Sequence, residues 1–251
     1  MPTFSDVLAS RLRADPGRPL VTFYDLASGE RTELSVTTYA NWMAKTASLL
    51  ADELDLERGE RLLVDLPAHW LGPVVLGAAW TVGLEVAWPG PDVEDPAGRV
   101  AGVVCGPEGV DRFADRAGEV PVVATALLPF AVRFPEPVPA GVHDLGVEVW
   151  SQPDAFTPWD PPGPDDAAAP GLCQRDLWGP GPSASDGEGP RLLCTANPAS
   201  GEGLAAFTGP FAGGGSLVLA VHASEAQVSA VERDERVDER FAPGPGQPTR
   251  S

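Results

Sequence analysis

Two hydrophobic rhythms alternate along this chain. Phe4, Val7, Leu8 and Leu12 recur at spacings of three and four, which predicts a short helix over Phe4 to Ala14 with Thr3 as its N-cap. The β-rich runs from Pro19 to Asp25 and from Arg31 to Val36 flank the turn residues Ala27 to Glu30 and predict a hairpin. Thr37 then opens a long amphipathic helix to about Leu54, with Tyr39, Met43, Thr46, Leu50 and Leu54 on one side.

After the turn Arg58 to Arg61, a strand from Leu62 to Leu66 leads to an apolar helix from about Trp70 to Val82. Pro73 falls in the first turn of that helix, where proline is tolerated, and Gly83 ends it before a strand from Leu84 to Trp88. Val100 to Cys105, Glu108 to Arg116 and Pro121 to Thr125 repeat strand, helix, strand. This order predicts an α/β fold with a largely parallel sheet flanked by helices.

Residues 1–150 thus form an α/β core. Residues 151–190 carry nine Pro and six Gly, with seven acids against one Arg, and are expected to be a long, mobile or irregular insertion. Order returns at 191–231 as a continuation of the core. It holds a strand from Arg191 to Thr195, a helix from about Glu202 to Phe211, the turn Gly213 to Gly215, a strand from Ser216 to Val221, and a last helix opened by the capping box Ser224-Glu-Ala-Gln227. Residues 232–251 read as a flexible charged tail.

Charge narrows the function. The 251 residues carry a formal net charge of −19, the wrong field for nucleic acid or an anionic membrane. Lys45 is the one lysine beside sixteen arginines, and no glycine-rich run precedes it, so no Walker phosphate loop is present. Cys105, Cys173 and Cys194 are an odd number at wide spacings, which suits a reducing cytoplasm. No signal-peptide core precedes residue 15, and no membrane span is expected. The uncharged run from Leu66 to Leu84 is broken by Pro and Gly and reads as a buried helix, with a membrane-associated accessory role as its remaining alternative.

Leu34-Ser-Val-Thr-Thr-Tyr-Ala-Asn-Trp42, Glu57-Arg-Gly-Glu-Arg61 and Gly83-Leu-Glu-Val-Ala-Trp-Pro89 resemble the opening of the adenylate-forming enzymes: acyl-CoA synthetases, nonribosomal adenylation domains and luciferases. Arg191 to Pro198 and Gly213 to Ala220 are similar to the part of those enzymes that follows their phosphate loop. More narrowly, the chain resembles a short, uncharacterised, truncated AMP-binding-like group. The resemblance covers roughly residues 4–150 and 191–231. It implies that a Ser/Thr/Gly-rich loop ending in Pro-Lys should wrap the ATP phosphates, yet no Lys follows position 45. The nearest imitation, Ser183 to Arg191, brings Asp186 and Glu188 instead. The resemblance places the family's adenine, ribose and magnesium segments, and its mobile C-terminal domain with a catalytic Lys, beyond residue 251.

The expected function is therefore a degenerate acyl-CoA-synthetase-like domain, a pseudoenzyme serving as a binding or interaction module. The alternative is a residual acyl- or nucleotide-binding ligase component completed by a partner subunit. No catalytic residue, metal site or cofactor is assigned, and ATP or AMP with magnesium enters only under the alternative. The weak pocket candidates are Thr195, Asn197, Ser200 and Gly201, in the loop where the resembling enzymes line their acyl pocket; the competing reading is a polar loop that caps the next helix.

His69, His143 and His222 have no metal-ligand spacing, Asp165-Asp166 read as solvated charge, and Gly213 to Gly215 as a tight turn. Trp42, Trp70, Trp80 and Trp88 read as core. A protein partner or homodimer is expected, and a small-molecule ligand remains open.

Overall fold

The computed structural model describes residues 2–90, 100–178 and 189–242. Helix α1 (Phe4–Ala14) starts from a capping box. Thr3 Oγ1 accepts from the Asp6 N–H, and Asp6 Oδ2 accepts from the Thr3 N–H at 2.9 Å. Strands β1 (Pro19–Asp25) and β2 (Glu30–Ser35) form the expected antiparallel hairpin.

Helix α2 (Val36–Ser48) is capped by Ser35, two residues earlier than Thr37. Ser35 Oγ accepts from the Thr38 N–H, while the Thr37 hydroxyl donates to Pro16 O. Both residues are hydroxyl-bearing, and the chain enters the helix at the first of them. The helix then widens into a π-turn over Leu49–Glu53.

Strands β3 (Arg61–Asp65), β4 (Glu85–Ala87), β5 (Gly102–Cys105), β6 (Val122–Ala124) and β7 (Val142–Asp144) make an all-parallel sheet in the order β4-β3-β5-β6-β7. Helix α3 (Leu71–Val82) joins β3 to β4 and ends at Gly83, whose φ of 98° is the left-handed cap that glycine accepts without strain. The expected helix from Glu108 to Arg116 is broken: α4 (Val110–Phe113) has a 3-10 turn on either side. Helix α5 (Leu145–Glu148) follows β7, with Asp144 as its N-cap.

A small hairpin, β8 (Ala167–Ala169) with β9 (Leu172–Cys173), lies in the Pro/Gly-rich segment. The other sheet has the order β12-β10-β11-β1-β2, built from β10 (Arg191–Cys194), β11 (Ser216–Val221) and β12 (Glu239–Arg240) together with the hairpin. Within it β11 pairs in parallel with both β1 and β10. Helix α6 (Leu204–Gly213) connects β10 to β11, and α7 (Glu225–Asp234) opens on the expected Ser224–Gln227 box.

Strand alternation sorts the core. Leu62 and Val64 of one sheet and Leu217 and Leu219 of the other share one cluster with α2 and α3. Leu63 and Val103 face α4, and Leu193 and Val218 face α7. All twelve residues of α3 are buried. The Leu66 to Leu84 run is thus an interior helix, and no helix among the described residues is long and apolar enough to cross a membrane.

Two expectations change. The described part of the insertion, residues 151–178, is irregular but anchored. Gln174, fully buried, accepts from the Phe4 N–H at 3.0 Å and donates to Trp80 O at 2.8 Å, while Trp80 Nε1 donates to Ala168 O. Asp165 and Asp166 are paired rather than merely solvated, with Arg175 and Arg58 respectively. Burial opposes ionisation of Asp166, but hydrogen bonds from Arg58 and the Gly163 N–H outweigh it and hold the carboxyl below its usual range.

The expected tail from Glu232 is also built in as far as Arg240. Helix α7 continues to Asp234, and β12 pairs with Leu192 and Leu193. Glu235 takes hydrogen bonds from Tyr24, Arg31 and Arg191. The physical reason is that this acid meets two arginines and a phenol from three different strands of the sheet.

A Cβ added at Gly77 would lie 2.1 Å from Tyr39 Oη and 2.8 Å from the Phe4 ring. Gly77→Ala is expected to destabilise the fold by about 1–3 kcal/mol through overpacking, measured by urea unfolding. An unchanged midpoint would show that the α2–α3 contact yields freely.

Candidate functional site

The loop after β10 is built from its own polar side chains. Asn197 Nδ2 donates to Leu66 O at 2.7 Å, and its Oδ1 accepts from the Ala199 N–H at 2.9 Å. Ser200 Oγ donates to Asn197 O at 2.7 Å and accepts from the Gly203 N–H at 3.1 Å. Gly203 is the N-cap of α6 and has no side chain to cap with, so Ser200 supplies the oxygen from just upstream. Asn197 and Ser200 therefore tie the 195–201 loop to the entry of α3 and the start of α6. Thr195 is exposed at the loop's start.

Gly201 is placed differently. It faces the Trp88 ring, 3.8 Å from where a Cβ would stand, and it lines a cavity of about 400 Å³ whose lining includes none of Thr195, Asn197 and Ser200. The walls of that cavity are mainly apolar: Leu177, Trp178, Leu192, Leu204 and Phe241, with Thr208, Asp176 and Glu239 among its polar groups. Trp178 is held firmly. Its Nε1 donates to Pro2 O at 2.7 Å, and its ring stacks on Phe4 and Phe211 at 6.3 and 6.0 Å. Trp178 and Phe241 come from the two stretches whose composition reads as loose chain, which is why the sequence reading omits them. Their one signal is a large aromatic among Pro, Gly and charge.

The histidines do not converge. His69 is buried, its Nδ1 accepts from the Leu71 N–H at 3.2 Å, and its Nε2 has no partner. Burial pushes its pKa down to about 4, against a smaller opposing effect of Asp25. His222 is exposed, with Nδ1 at 2.8 Å from Asp25 Oδ1. Burial raises the Asp25 pKa, but hydrogen bonds from His222, the Ala27 N–H and Ser28 win and hold it at about 2. His143 pairs with Glu148 at 3.0 Å. No group of three or more His, Cys, Asp or Glu that could hold a metal occurs among the described residues.

Trp70 and Trp80 are core, while Trp42 and Trp88 are only half-buried and pack against the core. Most of the Ser183 to Arg191 stretch lies outside the described residues. Arg191 itself is structural, donating to Ser216 Oγ, Thr22 Oγ1 and Glu235.

The same arrangement of two sheets around buried helices occurs in solved structures. An acyl-CoA synthetase from Brucella canis superposes with a TM-score of 0.77 over 95% of this chain at 17% identity. The fold is that of the N-terminal part of adenylate-forming enzymes. A putative long-chain-fatty-acid CoA ligase from Rhodopseudomonas palustris (TM-score 0.71, 17% identity, 96% of this chain) shares the adenylate-forming fold, as does the N-terminal domain of FACL13 from Mycobacterium tuberculosis (0.69, 15%, 96%). The chain spans 47%, 64% and 63% of these three chains in turn. A TIGR03089 family protein of Mycobacterium tuberculosis (strain ATCC 25618 / H37Rv) is 40% identical over 158 residues, 63% of each chain. No family model matches the sequence.

His69 makes stability depend on pH. Its folded pKa of about 4 lies below the ordinary value of 6.5, so its contribution is complete above pH 6.5 and is lost as pH falls towards 4. The expected loss is roughly 3 kcal/mol across that window. Urea unfolding as a function of pH checks it: His69→Gln should flatten the slope between pH 6.5 and 4, and an unchanged slope would assign it elsewhere. Asn197→Ala should cost about 1–3 kcal/mol by leaving Leu66 O and the Ala199 N–H without partners, read by the same assay.

Proposed function

We propose that this chain acts as a noncatalytic binding or interaction module on the adenylate-forming fold. The observation that carries this reading is the commitment of its single lysine. Lys45 Nζ donates to Gln152 O at 2.6 Å and pairs with Asp154 at 3.1 Å, so its charge serves the junction between α2 and the irregular segment. The polar side chains of Asn197 and Ser200 are likewise spent on the backbone. Adenylation needs preorganised positive charge at the ATP phosphates, and no second lysine in these 251 residues offers it.

A partner is part of this reading. Phe130, Val132, Val147, Trp150 and Trp159 are large apolar side chains left exposed, and they support association with a protein partner or a second copy. The net charge of −19 argues against nucleic acid. A cytoplasmic setting agrees with the thiols: Cys105, Cys173 and Cys194 are free, and burial pushes Cys105 up to about 12 and Cys194 up to about 11.

A second reading, a residual acyl- or nucleotide-binding ligase component completed by a partner subunit, is favoured by the apolar cavity at Trp178, Leu204 and Phe241. The purified protein with Mg-ATP and a panel of carboxylic acids is expected to release no pyrophosphate above background, and sustained release would overturn the noncatalytic reading. Calorimetry with a hydrolysis-resistant acyl-adenylate analogue separates the two. Saturable binding that Trp178→Ala removes would favour the second reading. Light scattering is expected to give a dimer or larger complex, and a monomer at working concentration would leave a different protein as the partner.

A further inference from the structure

A second cavity, of about 520 Å³, opens beside the link that runs from the π-turn after α2 into β3, next to the last residue of α3. It belongs neither to the 195–201 loop nor to the apolar cavity. Its apolar lining includes Leu56, Val82 and the half-buried Phe156, and at its edge stands Trp159, whose side chain is fully exposed. An indole left wholly in water forgoes the burial that usually holds tryptophan in place.

The charges around it have one sign to spare. Arg58 lines the cavity, but its guanidinium is taken by Asp160 and Asp166, each at 2.9 Å, and by Pro161 O at 3.2 Å. Asp52 also lines the cavity, and among the described residues its carboxylate holds only a hydroxyl contact, from Ser48 at 2.9 Å. The exposed Glu57 side chain has no ion-pair partner among the described residues.

We infer that this cavity binds an organic cation: an alkylammonium head between the Trp159 ring and the Glu57 and Asp52 carboxylates, with its apolar stem against Phe156 and Val82. An aromatic face and a carboxylate attract the same charge, the face through its quadrupole and the carboxylate directly. An anion would meet two carboxylates that no basic side chain among the described residues neutralises. A neutral apolar molecule would strip water from them without compensation. The volume suits a small molecule or one side chain, so the ammonium can come from a free amine or from a lysine of a protein.

Ligand-observed NMR on the full chain tests this with butylammonium, N-acetyl-lysine amide and, as an uncharged control one methylene longer than the first, pentan-1-ol. Saturable butylammonium binding in the millimolar range is expected, with none for pentan-1-ol and none for potassium chloride as competitor beyond ordinary screening. Trp159→Ala should weaken it roughly three- to tenfold, and Glu57→Gln should weaken it as well. Both residues are exposed, so both variants should keep the wild-type melting temperature, which separates loss of binding from loss of fold. Binding of the lysine amide at equal strength points to a protein side chain as the source, and binding of butylammonium alone points to a free amine. Absence of saturable butylammonium binding, equal binding of pentan-1-ol, or an unchanged affinity in Trp159→Ala would overturn the proposal.

Discussion

Helix α3 has no face that water could occupy. Its twelve residues are all buried, its one hydroxyl, on Thr81, donates to Gly77 O at 2.8 Å, and the indole N–H of Trp80 donates to Ala168 O. A helix apolar all round must be enclosed, and two sheets are needed to enclose it here. That explains why strands from the first and last parts of the chain come together on one side of it while the 61–144 strands take the other. Close approach to its neighbours needs small residues. Gly77 admits the Tyr39 hydroxyl, and Gly72 admits Ala199, whose Cβ would stand 3.1 Å from an added one. The second contact passes the constraint outward: α3 positions Ala199, and with it the loop that carries Asn197, Ser200 and Gly201.

Outside the sheets, the molecule is held by single polar side chains that meet backbone groups regular structure leaves open. Gln174 and Trp80 fasten the Pro/Gly-rich segment, Trp178 fastens the start of the chain, and Arg11 reaches across to Gly215 O at 2.8 Å. Arg11 is itself buried, which lowers its pKa, so that carbonyl is satisfied at some cost in solvation. With acids outnumbering basic residues 36 to 17, arginine works mainly as a clamp on carboxylates and carbonyls.

The regular part of this architecture was legible because its signals are local. Thr3 and Ser224 cap where hydroxyl and acid or amide spacing says they should, Gly83 and Gly214 stop helices, and the strand-helix alternation gives the parallel sheet. The irregular part was not. Proline and glycine foretell little regular structure in residues 151–178, but say nothing about the short β8–β9 hairpin or about the one buried glutamine that anchors the segment. The acids after Glu232 likewise look solvated until Arg31 and Arg191 arrive from distant strands. Of the loop candidates only Gly201 lines the apolar cavity, because Asn197 and Ser200 have backbone partners within reach, and Trp178 and Phe241 are brought there by tertiary packing alone.

The position of β11 has a consequence for how the protein is made. It is the middle strand of its sheet, lying between β10 and β1, and it joins Val21 to Leu217. The all-parallel sheet can close once residue 144 has left the ribosome, but Leu20, Val21 and Phe23 on β1 must wait beside an unpaired edge until β11 has been made, some two hundred residues later. Contacts this remote along the chain slow folding and leave a sticky strand exposed in the meantime. The nascent hairpin is therefore the element that waits longest for its strand partner.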